Sequence, residues 1–506
     1  MLLSLVMACL PPILDDTAGV DDSGIGDDTG APSDPADSSD TSETGTPIAD
    51  ADADGYESPD DCNDDDAAVH PGATELLNWA DEDCDGESVA FASNYAGSQA
   101  STSVGYTWAL KAFPPTDASH RVAGAFRELA GGAVIVATRD DIADGTIQSA
   151  RSVIGDVSDE FGYDLQVVDV DGDAKEDLLI GDPGRTGAYW IVDSALLPGV
   201  GAIDVATLPT FGDSTGVGRV GAAAEVIGDQ VAVTGFGAAD SAVYLLDAAT
   251  LAKGSATEVT AGTRISSAGG VALFGAALGH LDADGDGLAE LLVGAPSVGG
   301  SGGTAAGAIF VFNGLDLAGT NELTAGDADV TLSGTAKDEQ LGGGFLPAGD
   351  LDGDGAEDVL VTTYAHDADR TFYMLRGDSP WTQGLITATS HTKITGLTTY
   401  DDGAAIPTSY LSATTVDVDG DGAKELFAGS PGPGNGNVYV FSGEQLGISA
   451  SYTGADASVD LVGPTADDGF GKDVAAAGDG VDTEGLLLVA APGADDGTLW
   501  TVPFAF

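Results

Sequence analysis

The chain has 506 residues, enough for a substantial core; 43% are hydrophobic and 74 are glycine, which points to glycine-punctuated strands rather than helices. Acidic residues number 83 against 16 basic ones, for a formal charge of -67. That charge opposes nucleic acid and anionic lipid as partners held by undirected electrostatic attraction; bound cations or a saline habitat would relieve it, and most of these carboxylates read simply as a solvated acidic surface.

The N-terminus is apolar from Leu2 to Ala8, and Val6-Met7-Ala8-Cys9 resembles the lipobox of bacterial lipoproteins, although no Lys or Arg precedes it. Residues 1–9 are therefore read as a lipoprotein-like signal segment with Cys9 as the lipidated residue. That accounts for the odd one of three cysteines, and in an oxidising compartment it leaves Cys62 and Cys84 to pair. No later run is long and apolar enough to span a membrane. Residues 10–49, rich in Asp, Ser, Thr, Gly and Pro and without a basic side chain, read as a disordered, self-repelling spacer.

Residues 50–87 change character. Asp50, Asp52, Asp54, Gly55 and Tyr56 open a calcium-type loop, with Asp61 at its twelfth position, and Asp81, Asp83 and Asp85 bracket Cys84. The segment resembles the short metal-binding motif (DxDxDGY, DCND, PGA, DxDCDG) of surface proteins from myxobacteria and related bacteria. It is expected to be a small module held by the Cys62–Cys84 disulfide and calcium, since so short a piece cannot build an adequate core alone; the alternative is an acidic linker with two incidental cysteines. His70, beside Pro71, reads as a turn residue.

From about residue 100 to 506 a unit recurs. Apolar segments begin at Ala133, Leu178, Val231, Leu291, Val359, Leu426 and Leu486, at intervals of 45 to 68 residues. In the most complete copy, Phe274 to Pro296, Asp282, Asp284, Asp286 and Glu290 take positions 1, 3, 5 and 9 of a loop before the apolar run. Three siblings keep it: Asp169, Asp171, Asp173 and Asp177; Asp350, Asp352, Asp354 and Asp358; Asp417, Asp419, Asp421 and Glu425. A hard cation with six to eight oxygen ligands needs carboxylates spaced this way around a tight turn, and the seventh position (Lys175, Leu288, Ala356, Ala423, as Tyr56 in the N-terminal module) can serve only through its main-chain carbonyl. Calcium is thus expected at four loops. The period, the short strands and the glycine turns predict an all-β fold, a seven-bladed propeller.

Phe161-Gly162, Phe274-Gly275 and Phe470-Gly471 before the loops, DxDxDG within them and Gly294-Ala295-Pro296 after one of them resemble the FG-GAP repeat of the integrin alpha-subunit propeller. The resemblance implies four-stranded blades, calcium loops joining their first two strands on the lower face, and ligands on the upper face. The last unit stops after its third strand, so Val104 to Lys111 is expected to supply its outer strand and close the ring.

Catalysis has no clear signature: His120, His280, His366 and His391 are scattered, and no Ser/His/Asp order, HExxH or phosphate loop is present. Arg376-Gly377-Asp378 spells the tripeptide that integrins recognise, but it falls where a strand ends. The loops Ser297 to Ala306, Ala365 to Arg370 and Gly432 to Gly436 are better placed to meet a protein or glycan. The leading expectation is a monomeric, exported, envelope-anchored or secreted recognition protein. A polysaccharide hydrolase or lyase and a purely structural envelope component are the alternatives.

Overall fold

A computed structural model describes residues 50–56, 58, 61–63, 67, 69–71, 73, 84, 98–102, 107–113, 121–126, 133–138, 141, 151–154, 160–184, 187–212, 219–236, 241–251, 257–258, 262–267, 273–283, 286–299, 303–314, 322–363, 370–377, 381–390, 392–398, 412–418, 421–432, 434–448, 450–464, 469–477, 484–491 and 498–505. The chain divides into Met1–Ala49 and Asp50–Phe506. The first unit, with Cys9 and the spacer, lies outside the described residues, as do Asp81, Asp83, Asp85, Asp284, Asp378, Asp419, His120, His366 and His391.

From Ser98 onward the strands form seven sheets, the seven blades of an all-β propeller. The apolar segment of each unit is the second strand of its blade. Those of blades 2, 4, 5 and 6, at Asp177–Asp182, Glu290–Ala295, Asp358–Thr363 and Glu425–Ser430, are buried at every residue. A blade is covered on both faces by its neighbours, so its middle strands read as continuous apolar runs instead of alternating ones. The core is accordingly a series of interfaces between blades. Leu292 and Ile309 of blade 4 pack with Val359 and Tyr373 of blade 5, and all four are fully buried; burying each such side chain contributes about 1.5–3 kcal/mol. The two α-helices with described bounds, Ala248–Leu251 and Gly443–Leu446, have four residues each. Among the described residues no helix is long and apolar enough to cross a membrane.

The N-terminal part of the chain does complete the last blade, but with a different segment from the one expected. Ser98–Thr102 pairs antiparallel with Thr498–Ala505, Ser98 opposite Thr501 and Thr102 opposite Thr498. Thr107–Ala112, inside the expected Val104–Lys111 stretch, instead pairs with Val122–Phe126 as the innermost strand of blade 1. The reason lies in its side chains: Leu110 is buried against Val122 and Leu488, whereas an outer strand has a neighbour on one side only.

Five blades carry an additional strand donated by the following unit. Gly201–Asp204, Thr257–Glu258, Glu322–Thr324, Gly384–Leu385 and Ser451–Thr453 each run parallel to the fourth strand of the preceding blade. Four of them turn at once through a single 3-10 turn, Val205–Thr207, Ala325–Asp327, Ile386–Ala388 and Gly454–Asp456. In two turns a capping box of Thr324 with Asp327 and Thr453 with Asp456 satisfies the exposed amides reciprocally.

Candidate metal centres

All four acidic loops join the first and second strands of their blades. In blade 5, Asp350 Oδ1 accepts from the amides of Gly353 (2.8 Å) and Asp354 (3.1 Å), and its Oδ2 from Gly355 (2.9 Å). Blade 2 repeats this with Asp169 and the amides of Gly172 (2.7 Å), Asp173 (3.2 Å) and Ala174 (2.8 Å). Asp282 accepts from Asp286 (3.1 Å) and Gly287 (2.9 Å), and Asp417 from Gly422 (3.1 Å). At the fifth position Asp173, Asp286, Asp354 and Asp421 each accept from the amide two residues on, that of Lys175, Leu288, Ala356 or Ala423, at 2.8–2.9 Å. The loops are one structure used four times.

The ninth position closes each loop from below. Asp177, Glu290, Asp358 and Glu425 are 2%, 4%, 0% and 1% exposed, and each accepts from the amide at the second position, that of Val170, Ala283, Leu351 or Val418. Asp177 and Glu425 use their other oxygen on the segment after the third strand, through Ser194 N–H (2.7 Å) and Gly443 N–H (3.3 Å). Asp358 Oδ1 is buried without a hydrogen-bond partner. Burial, aggravated by the charges of Asp352 and Asp354, pushes the Asp358 carboxyl up to about 7 against the pull of the Leu351 amide; burial likewise pushes Asp177 to about 6. Ligand oxygens of Asp169, Asp171 and Asp177, and of Asp350, Asp352 and Asp358, lie within 4.8 Å of one another. An all-oxygen set around a buried carboxylate that has only backbone amides near it and no counterion of its own fits a hard divalent cation.

The N-terminal module builds the same loop. Asp50 accepts from Ala53 (2.6 Å) and Gly55 (3.1 Å), Asp52 from Asp54 (3.1 Å), and Asp54 from Tyr56 (2.8 Å). Asp50, Asp52 and Asp54 offer oxygens within 4.8 Å of one another. The Oδ2 atoms of Asp52, Asp54 and Asp61 are buried without hydrogen-bond partners. Cys62 and Cys84 are disulfide-bonded. His70 stacks on the Tyr56 ring, centroids 5.0 Å apart and planes 2° apart, and its Nδ1 lies 3.4 Å from Pro71 O.

Two further residues singled out in the sequence face inward. Arg376 ion-pairs with Asp352 Oδ2 at 3.1 Å and with Asp354 Oδ2, so the arginine of the RGD tripeptide is turned onto the blade 5 loop. His280 Nδ1 lies 2.8 Å from Glu225 Oε1 of blade 3. Burial pulls its pKa down, but the hydrogen bond and charge of Glu225 outweigh this and raise it.

Residues 274–312 match the FG-GAP repeat. Residues 61–88 match the family model named Cu-binding MopE, a metal-binding motif. No curated protein matches the chain. Among solved structures, the WD40 domain of Toxoplasma gondii coronin is similar at 12% identity and a TM-score of 0.41, over 80% of this chain and 82% of that one.

The blade contacts explain what the two halves of the FG-GAP unit do. The Phe is core: Phe161, Phe274 and Phe470 are 1%, 0% and 5% exposed. The Gly after it has a left-handed backbone and lies against the preceding blade. A Cβ on Gly162 (φ +85°) would be 2.5 Å from Ala125 Cβ, and one on Gly275 (φ +79°) 2.7 Å from Thr234 Oγ1. The Gly of the GAP half lies against the blade that follows. A Cβ on Gly294 would meet Gly342 O at 2.2 Å, one on Gly181 would meet Gly221 O at 2.2 Å, and one on Gly429 would meet Gly471 O at 2.1 Å. Val220-Gly221 and Leu341-Gly342 thus stand in for Phe-Gly, which shows that the glycine is the stricter half of the pair.

Proposed function

We propose that this chain is an exported, calcium-stabilised recognition protein. In this reading Cys9 carries a lipid anchor, residues 10–49 hold the rest off a surface, residues 50–87 form a metal-binding module and the propeller from about residue 100 presents ligand-binding loops. The FG-GAP and MopE-type matches support an extracellular or surface setting. Asp169, Asp171, Asp173 and Asp177, with their counterparts in blades 4, 5 and 6, would hold calcium together with the seventh-position carbonyls. The ion would supply structural cross-linking and charge neutralisation at the lower ends of the blades.

The observation that carries the reading is Asp358, a fully buried carboxylate with one oxygen unpartnered in a chain of charge -67. A buried carboxylate without a counterion is strongly unfavourable. The N-terminal module is assigned calcium as well, despite the copper in its family's name, because Asp50, Asp52, Asp54 and Asp61 offer only hard oxygen donors. Recognition is assigned to the loops on the opposite face, Ser297 to Ala306, Ala365 to Arg370 and Gly432 to Gly436, with a protein or glycan as partner. Residues 300–302, 364–369 and 433 lie outside the described residues.

The decisive experiment compares thermal unfolding and binding to a glycan and protein array, with and without chelator. Chelation should lower Tm substantially, since an ion held only by the folded chain stabilises it by mass action, and it should abolish array signal. An unchanged Tm after exhaustive chelation would overturn the calcium assignment; polysaccharide turnover without a captured ligand would overturn the recognition assignment.

A further inference from the structure

The first strands of all seven blades line a cavity of about 440 Å³ whose wall mixes alanines with charged and polar side chains. In a chain with 83 acidic and 16 basic residues, its wall nevertheless carries Lys111, Lys424 and Lys472 against three carboxylates, Asp164, Glu225 and Asp473. The carboxylates are committed to joining blades. Asp164 Oδ2 accepts from Ala224 N–H of blade 3 (3.0 Å) and from Tyr189 Oη (2.7 Å), and Asp473 Oδ2 from Leu110 N–H of blade 1 (2.7 Å). Glu225 holds His280 of blade 4. Burial also pushes Asp164 up to about 6 and Asp473 to about 7, which trims their negative charge near neutral pH.

The lysines are placed differently. Among the described residues, the side chains of Lys111 and Lys424 make no ion pair or hydrogen bond. Lys111 lines the channel, and its charge acts on Asp164, Asp473 and His280, which belong to three other blades. Lys424 adjoins the metal-loop end; a Cβ on Gly349 would lie 2.5 Å from its Nζ.

The geometry points to the channel as a binding site for a small oxyanion, a carboxylate or phosphate group, held by Lys111 with Lys424 and Lys472 adding positive field. A narrow channel with low-dielectric walls concentrates that field, and a charge-assisted hydrogen bond from an ammonium is about twice as strong as a neutral one. An entering anion would find Lys111 and Lys424 without an ion pair among the described residues, and carboxylates already occupied by amides, a tyrosine and a histidine. Such a site is separate from the recognition loops; it shares Lys424 with the blade 6 acidic loop, where that residue stands between Ala423 and Glu425.

The test uses the full calcium-loaded chain at fixed ionic strength, set with chloride so that general screening is constant. Phosphate, sulfate and succinate are titrated separately, with calorimetry and thermal unfolding as readouts. The proposal expects saturable binding that raises Tm, weakened about tenfold or more in Lys111→Met and retained in Lys111→Arg, with the anion-free Tm unchanged. Lys472→Met provides a second variant should the first fail to fold. Binding of sulfate should tighten from pH 8 to pH 6, because Asp164 and Asp473, raised by burial to about 6 and about 7, lose negative charge and His280 gains positive charge over that range; Glu225, which also faces Lys111, is held by His280. Saturation by phosphate and sulfate alone would assign a phosphoryl-type ligand, and saturation by succinate a carboxylate. Absence of saturation with all three anions, or saturation unaltered in both methionine variants, would overturn the proposal.

Discussion

The sixth position of every acidic loop needs a left-handed backbone. Gly55, Gly287, Gly355 and Gly422 supply it at φ 104°, 86°, 91° and 98°, but blade 2 has Ala174 at φ 64°. A left-handed alanine costs about 1–2 kcal/mol, so Ala174→Gly should raise the stability of the calcium-loaded chain by about 1 kcal/mol, measurable as a shifted urea midpoint. An unchanged or lower midpoint would show that the blade 2 loop tolerates its alanine. Gly294 makes the opposite case. In Gly294→Ala the new methyl would strike the Gly342 carbonyl, a backbone atom fixed by the next blade, and stability should fall by about 1–3 kcal/mol or more; calorimetric unfolding of the variant checks it. The two residues differ in how much of their role the sequence discloses. The loop aspartates are legible because their ligand spacing is local. The contact of Gly294 with Gly342 spans two blades, and no pattern within either segment announces it.

Strands were legible where a run was buried on both faces. Asp177–Asp182, Glu290–Ala295, Asp358–Thr363 and Glu425–Ser430 contain the apolar segments that begin at Leu178, Leu291, Val359 and Leu426. The closing strand is instructive: the expected one, Val104–Lys111, overlaps Thr107–Ala112, the inner strand of blade 1, and the more polar Ser98–Thr102 closes the ring. Closure needs a neighbour on one side only, whereas the more apolar segment is claimed by the inner position of blade 1. Deleting residues through 103 should therefore leave blade 1 intact and unpair the edge at Thr498–Ala505. The expected readouts are a lower Tm and concentration-dependent association in sedimentation; a monomer of undiminished Tm would rule out a closing role for Ser98–Thr102. The donated strands, Glu322–Thr324 and its counterparts, escape sequence reading because two to four residues carry no periodicity.

At the scale of the molecule, charge governs behaviour. In the absence of calcium, Asp177 and Asp358 have carboxyls raised to about 6 and about 7, and Asp164 and Asp473 to about 6 and about 7. A raised carboxyl binds its proton more tightly in the folded chain than in the unfolded one. Its stabilising contribution is full below about pH 4 and is lost as pH climbs through 6 to 7. Metal-free protein should thus be more stable at pH 5 than at pH 8, by on the order of a few kcal/mol. Calcium should narrow or reverse that gap, because Asp177 and Asp358 then gain a counterion; urea midpoints at the two pH values, with and without calcium, decide it. A gap that calcium leaves untouched would place the charge cost elsewhere. The channel is the least legible feature of all: Lys111 lies more than three hundred residues before Lys424 and Lys472, and the three line one cavity only when the ring shuts. That shutting also sets a timetable. During synthesis the segment at Ser98–Thr102 emerges some four hundred residues before its partner at Thr498–Ala505 exists, and it must cross any export machinery unmated. Its sequence, Ser-Gln-Ala-Ser-Thr, is made almost wholly of hydroxyl and amide side chains, suited to a long wait in water without finding the wrong companion.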